Sequence, residues 1–209
     1  AMLSIWNAPM TLREQLGGLA DHDEALADAI GRGRVVLGFA LEGLEPAQGA
    51  EQGEPHPDAP LAMQKSRYVA VGQPPQPFVH GFGQVTPAIP VLEPRAEGYG
   101  AMTFVPDSDG VVRRVRELVR VGNTLLPTIG TEALRVAQGA KNILTRTAPG
   151  QGVGLQEVRI GSVTVPTTAQ GEVWVHYGQP QTERYIPAWE VLAGKVPAAD
   201  LKDHILLVG

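Results

Sequence analysis

The chain has 209 residues, enough for one well-buried domain, and its 43% hydrophobic and 19% charged content is that of an ordinary globular protein. A formal net charge of −5 argues against nucleic acid or an anionic membrane surface as partner, because both require a basic face. The absence of cysteine removes disulfides, thiolate nucleophiles and every Cys-based zinc or iron–sulfur site.

No apolar run approaches the roughly 20 residues that span a bilayer. The longest, Val35–Leu41 and Ile205–Val208, are strand-sized, and the first residues lack a signal-peptide pattern. Gly209 follows directly on His204–Val208, a strand-like run, so the chain reads as an excised piece of a longer one.

The first element is a helix. Asp21 can cap it with Glu24 three positions on, Ala25, Leu26, Ala29 and Ile30 share a face, and Gly31 or Gly33 ends it. Arg34 then leads into Val35–Leu41, whose unbroken apolar character predicts a strand buried on both faces. Ten of the 18 prolines fall within 42–97. Over 42–64, where Glu42, Glu45, Glu51, Glu54 and Asp58 also lie, the expectation is a variable surface loop. Lys65–Val71 has strand character, and 72–97 reads as an extended, proline-punctuated connection.

From Tyr99 the pattern turns antiparallel. Tyr99–Val105 and a return strand, in which Val115, Val119 and Val121 alternate with arginines, flank the turn residues Pro106 to Gly110 and predict a hairpin. A second turn at Gly122-Asn123 precedes a helix opened by Pro127 and Thr128, with Ile129, Ala133, Val136 and Ala137 on its apolar face. Strands are expected at Leu155–Ile160, Val163–Thr167 and Glu172–Tyr177, then a short helix over Ala188–Ala193, a turn at Pro197 and a final strand. The fold class is α/β, a mixed sheet with helices packed on it and an antiparallel hairpin section, with α+β as the alternative. No break divides 1–209 into two domains.

The run from Gly98 to Val115, Gly-Tyr-Gly-Ala-Met-Thr-Phe-Val-Pro-Asp-Ser-Asp-Gly-Val-Val-Arg-Arg-Val, resembles the central signature of CHASE2 domains. Leu126 to Ala137, Gly171 to Gly178, and Val191 to Pro197 leading into Ile205–Gly209 are similar to that family's later segments in the expected order, and Asp21–Leu41 resembles the segment before its variable loop. The resemblance implies an extracytoplasmic, periplasmic sensor attached through its own transmembrane helices to an intracellular output. The implied output is an adenylate or guanylate cyclase, a diguanylate cyclase, a histidine kinase or a Ser/Thr kinase. It further implies that the family's opening strands and the membrane helices after Gly209 are missing here, and that a second copy can partner the domain, since such outputs act in pairs. The implied signal is an unknown small molecule or protein; nucleic acid is not among the expected partners.

The residues themselves offer little chemistry. Asp107-Ser108-Asp109-Gly110 lacks the third oxygen and distant Glu of a calcium loop and is better read as a turn. Arg113 and Arg114, on opposite faces of one strand, are not expected to form a single clamp. Arg114, Arg116 and Arg120 share a face, either gripping a carboxylate or phosphate or forming a solvated surface paired with Glu117 or loop acids. His22, His56, His80, His176 and His204 show no metal-ligand spacing. His176, beside Tyr177, either faces a pocket or stands half-exposed on its strand. Trp6, Trp174 and Trp189 are expected in the core or an interface. With no nucleophile elbow, P-loop or dinucleotide fingerprint, no catalytic residue, metal or cofactor is assigned.

Arg114, Arg116, Arg120, His176 and Tyr177 are therefore the candidate ligand-binding residues. The expected function is sensory input to a cyclase or kinase. The rivals are a periplasmic interaction or scaffold module without a small-molecule ligand, and a soluble α/β hydrolase or transferase that would set His176 against a carboxylate and a hydroxyl.

Overall fold

The structure, a computed structural model, describes residues 21–45, 65–149 and 154–209. Its first helix, α1 (His22–Ile30), starts where the acidic cap is: the Asp21 carboxylate accepts from the backbone N–H of Asp23 at 2.9 Å and of Glu24 at 3.3 Å. Strand β1 (Val36–Glu45) follows, longer than the apolar run suggested. Its four last residues belong to the stretch expected to loop; the rest of that loop, with His56, lies outside the described residues, as does Trp6.

The main sheet also holds β3 (Gly81–Thr86), β4 (Gly98–Ala101), β6 (Leu118–Val121) and β7 (Thr124–Pro127), in the order β4-β1-β3-β6-β7. It is mixed. β1 runs parallel to β4 and antiparallel to β3, β3 is parallel to β6, and β6 turns through Gly122 into antiparallel β7. The sheet curls until its two edges meet at a parallel bridge between Ala101 and Thr128. A Cβ added at Gly100 would lie 2.5 Å from the Ile129 Cα, so only glycine permits this closure.

Inside the curl lie Phe39, Leu41, Phe82, Tyr99, Val119, Val121 and Leu126, with the Phe39 and Tyr99 rings 5.1 Å apart at 52°. Each such burial stabilises by roughly 1.5–3 kcal/mol. β1 sends Phe39 and Leu41 into this core while Gly38 and Ala40 remain only half-buried, so one face of the strand, not both, is fully covered. Helix α2 (Ile129–Ala137) packs on β4 and β1.

A second sheet runs β10-β9-β8-β2, from β2 (Arg67–Val71), β8 (Asn142–Thr147), β9 (Leu155–Ile160) and β10 (Val163–Pro166). Ile143, Val158 and Ile160 join Val79, Leu118 and Leu125 in the core between the sheets. A two-stranded ribbon pairs β5 (Arg114–Arg116) with β11 (Glu172–Trp174). Past it come α3 (Ala188–Leu192) and α4 (Ala198–Leu201).

Several expectations change. The 72–97 connection contains β3, a central strand. Its prolines stop at Pro77 and resume at Pro87, and a Cβ at Gly81 would lie 2.6 Å from the Arg120 guanidinium, which would have to move aside. Strands β7 and β8 are additional. The 99–121 hairpin does not form. β4 pairs with β1 instead, and the backbone of the Pro106–Gly110 turn closes through Asp107 N–H to Val111 C=O at 3.0 Å and Gly110 N–H to Asp107 C=O at 2.9 Å. The final apolar run forms no strand: Leu207 is 86% and Val208 99% exposed, and neither pairs with a strand among the described residues. Trp174 and Trp189 are likewise exposed, outside the core.

Candidate functional site

A polar concavity of about 420 Å³ opens where the 102–113 loop passes over the β5–β11 ribbon. His80 forms one wall, at the end of the segment leading into β3. Pro106, Asp107 and Ser108 form the lip, Arg114 and Arg116 come from β5, and Gln170 and Glu172 from the turn into β11.

Glu172 anchors the floor. It is 5% exposed, and its two carboxylate oxygens take one arginine each: Oε2 accepts from Arg114 Nη1 at 3.0 Å and Oε1 lies 3.0 Å from Arg116 Nη2. Antiparallel pairing produces this arrangement, since Glu172 stands opposite Arg116 and Trp174 opposite Arg114. Arg114 also reaches Asp107 Oδ1 at 2.8 Å and stacks over the Trp174 ring at 5.6 Å. One guanidinium thus joins the loop, the ribbon and the start of the C-terminal arm.

Asp107 is held twice, because Arg113 Nη1 donates to its Oδ2 at 3.1 Å. Arg113 and Arg114 therefore share one carboxylate, contrary to the expectation from strand alternation: Asp107 lies on the loop folded over the strand, where both side chains reach it. These hydrogen bonds, Arg114 first, keep the Asp107 carboxyl below the usual range. Arg113 also grips Asp109, drawing its carboxyl down to about 2. The two aspartates are thus fully engaged with arginine.

Burial shapes the remaining groups. The Arg116 side chain is 9% exposed, and desolvation lowers its pKa against the opposing pull of Glu172. Burial, reinforced by Arg116, depresses the His80 imidazole and favours its neutral form. The Nε–H of Arg114, the Nε–H of Arg116 and the Nδ1 of His80 are buried and without a hydrogen-bond partner.

Of the five candidate residues, the fold brings Arg114 and Arg116 together and separates the others. Arg120 is 2% exposed and donates to the Gly122 carbonyl at 3.1 Å, beneath Gly81 and behind His80, outside the cleft lining. The shared face fails because the chain breaks at Glu117: β5 pairs with β11, whereas β6 enters the main sheet and is buried throughout. Nor are Arg116 and Arg120 part of a solvated surface. His176 is exposed, beyond the end of β11. Tyr177 is 67% exposed, but its hydroxyl donates to the Val112 carbonyl at 2.6 Å, tying the arm to the loop.

Sequence reading missed His80, Asp107 and Glu172 as cleft residues. The signal available for Glu172 was its place beside Gly171 at the start of a strand, opposite a basic one. Only the pairing register turns that into a contact.

A second concavity, about 430 Å³ and largely apolar, lies between the 102–104 segment and the start of α2, with Arg116 shared between the two. Among the described residues no helix is long and apolar enough to cross a membrane, and no group of His, Asp and Glu is placed to hold a metal.

A model of one family of extracellular sensor domains, the input modules of membrane receptors, matches residues 6–209. That family is the CHASE2 domain, and this chain belongs to it. No curated protein and no solved structure matches the chain.

Proposed function

We propose that the domain takes its signal in the Arg114–Arg116–Glu172 cleft and passes it through the ribbon and the C-terminal arm to an intracellular cyclase or kinase. The observation that supports this reading most directly is the placement of Arg114. It bridges Asp107 on the loop, Glu172 on the ribbon and Trp174 where the arm begins. A ligand that re-partners Arg114 alters all three contacts at once, and its differential affinity for the two arrangements sets the signal. The Tyr177 hydroxyl on Val112 is a second tie between loop and arm, so movement of the loop is felt beyond β11. Convergent polar groups in a concave site favour ligand sensing over a scaffold that binds no small molecule.

The test is the output activity of the membrane-embedded receptor, assayed in vesicles as cyclase or kinase turnover. Arg114→Ala and Glu172→Gln should shift basal output roughly fivefold or more, the usual lower range of coupling between sites. Arg146→Ala, on the outer face of the second sheet, serves as control and should leave output unchanged. Output indifferent to both cleft substitutions would sink the reading.

A further inference from the structure

We propose that the ligand of this cleft is a small oxyanion, a carboxylate or a phosphate ester, received by Arg114, Arg116 and His80. The inference rests on the reading of the cleft as the input site and adds the chemical class of what enters it.

It follows from an inventory of donors and acceptors rather than from net charge. The cleft's carboxylates are already paired with arginine. Both oxygens of Glu172 face arginine, and both oxygens of Asp107 do so as well. The donors are not all paired. A guanidinium carries more N–H groups than Arg114 or Arg116 uses on these acids, and the Nε–H of each is buried without an acceptor. His80 adds a buried ring nitrogen without a partner, a donor in the Nδ1–H tautomer.

The Arg114 side chain stays 38% exposed at the cleft, so its remaining Nη–H groups can meet an incoming acceptor directly, whereas the buried Nε–H groups gain one only when the guanidiniums shift. A ligand rich in N–H groups would find no unpaired carboxylate here, whereas an oxyanion finds the remaining N–H groups of two adjacent guanidiniums. Ser108 at the lip and Gln170 opposite it can each donate one further hydrogen bond. The volume, about 420 Å³, and the scarcity of apolar lining fit a compact polar molecule and not a lipid. Glu172 remains beneath the ligand as the group that holds both guanidiniums in place.

The experiment is titration calorimetry on the 209-residue chain at fixed ionic strength, with malonate and inorganic phosphate as probes and uncharged malonamide as comparator. The expected result is that at least one anion binds about tenfold or more tightly than malonamide, and that Arg114→Gln and Arg116→Lys each weaken it by about tenfold. Circular dichroism establishes that each variant is folded. Because Arg114 is partly exposed, Arg114→Gln carries the test if the Arg116 variant unfolds. Binding of malonate alone assigns a carboxylate ligand; binding of phosphate alone assigns a phosphate ester.

If malonamide binds as tightly as malonate and responds to the same substitutions, the oxyanion class is overturned while the cleft stands as the input site. If neither anion binds, the class is overturned as well. The receptor assay above then decides separately whether the cleft is an input at all.

Discussion

Glu132 and Glu172 are both almost wholly buried and both face arginine, yet their surroundings differ in one respect. Glu132, on α2, is a closed account. Its Oε1 accepts from Arg135 Nη2 at 2.6 Å and from the Tyr99 N–H at 3.3 Å, and its Oε2 from Arg135 Nε at 2.8 Å and the Ser66 hydroxyl at 3.3 Å. Arg135 also donates to the carbonyls of Ala140 and Glu97. That cluster stitches the helix to β4 and to the segment entering β2. Around Glu172 the same residue types leave N–H groups unmatched beside an open cavity. The difference teaches that two buried carboxylate–arginine clusters of like composition can differ in the donors they leave unmatched, and this marks the Glu172 cleft as the candidate site.

Three measurements would sharpen or break that contrast. The largest effect is expected at the closed pair. Glu132→Ala leaves Arg135 buried and uncompensated and should lower the unfolding free energy by about 3–5 kcal/mol in urea titration. The double variant Glu132→Leu, Arg135→Met removes both charges and should cost far less. Equal losses for the two would show that the ion pair is not what holds α2 in place.

At the open pair Glu172→Gln keeps the shape but removes the charge shared by two arginines. A loss of about 2 kcal/mol is expected, the value of a charge-assisted hydrogen bond. A loss as large as that of Glu132→Ala would mean that both sites are structural in the same sense.

The smallest effect concerns acid. His80 titrates below the ordinary imidazole value of 6.5 in the folded domain because burial and Arg116 oppose its charge. The unfolded chain therefore binds the proton first, and stability that is complete above pH 6.5 declines as pH falls below it toward the folded value. His80→Gln should flatten this decline in denaturation curves recorded between neutral and mildly acidic pH. An unaltered slope would place the acid sensitivity elsewhere.

Local signals made much of the fold legible. The Asp21 cap, the amphipathic 129–137 helix and the alternating 155–166 strands need only their own neighbours to declare themselves, and the structure has each within a residue or two. β3 was hidden because its glycines and flanking prolines carry the composition of a loop. Its strand character comes from pairing with β1 on one side and β6 on the other. Arg114 and Arg116 could be marked as anion-gripping candidates from residue type and spacing. Arg120 could not be separated from them, because the break at Glu117 is set by which strands pair on either side of it.

What the sequence determined by itself was the class: a mixed α/β domain with CHASE2 motifs in order, no cysteine chemistry and a short arginine-rich stretch. Periodicity and caps act over a few residues, so they survive without a structure. The tertiary structure decided where that stretch is cut, that Glu172 from 56 residues downstream becomes its counter-ion, and that three nitrogens are left without partners around a cavity. Those facts depend on register and on contacts between distant segments, which no local pattern encodes.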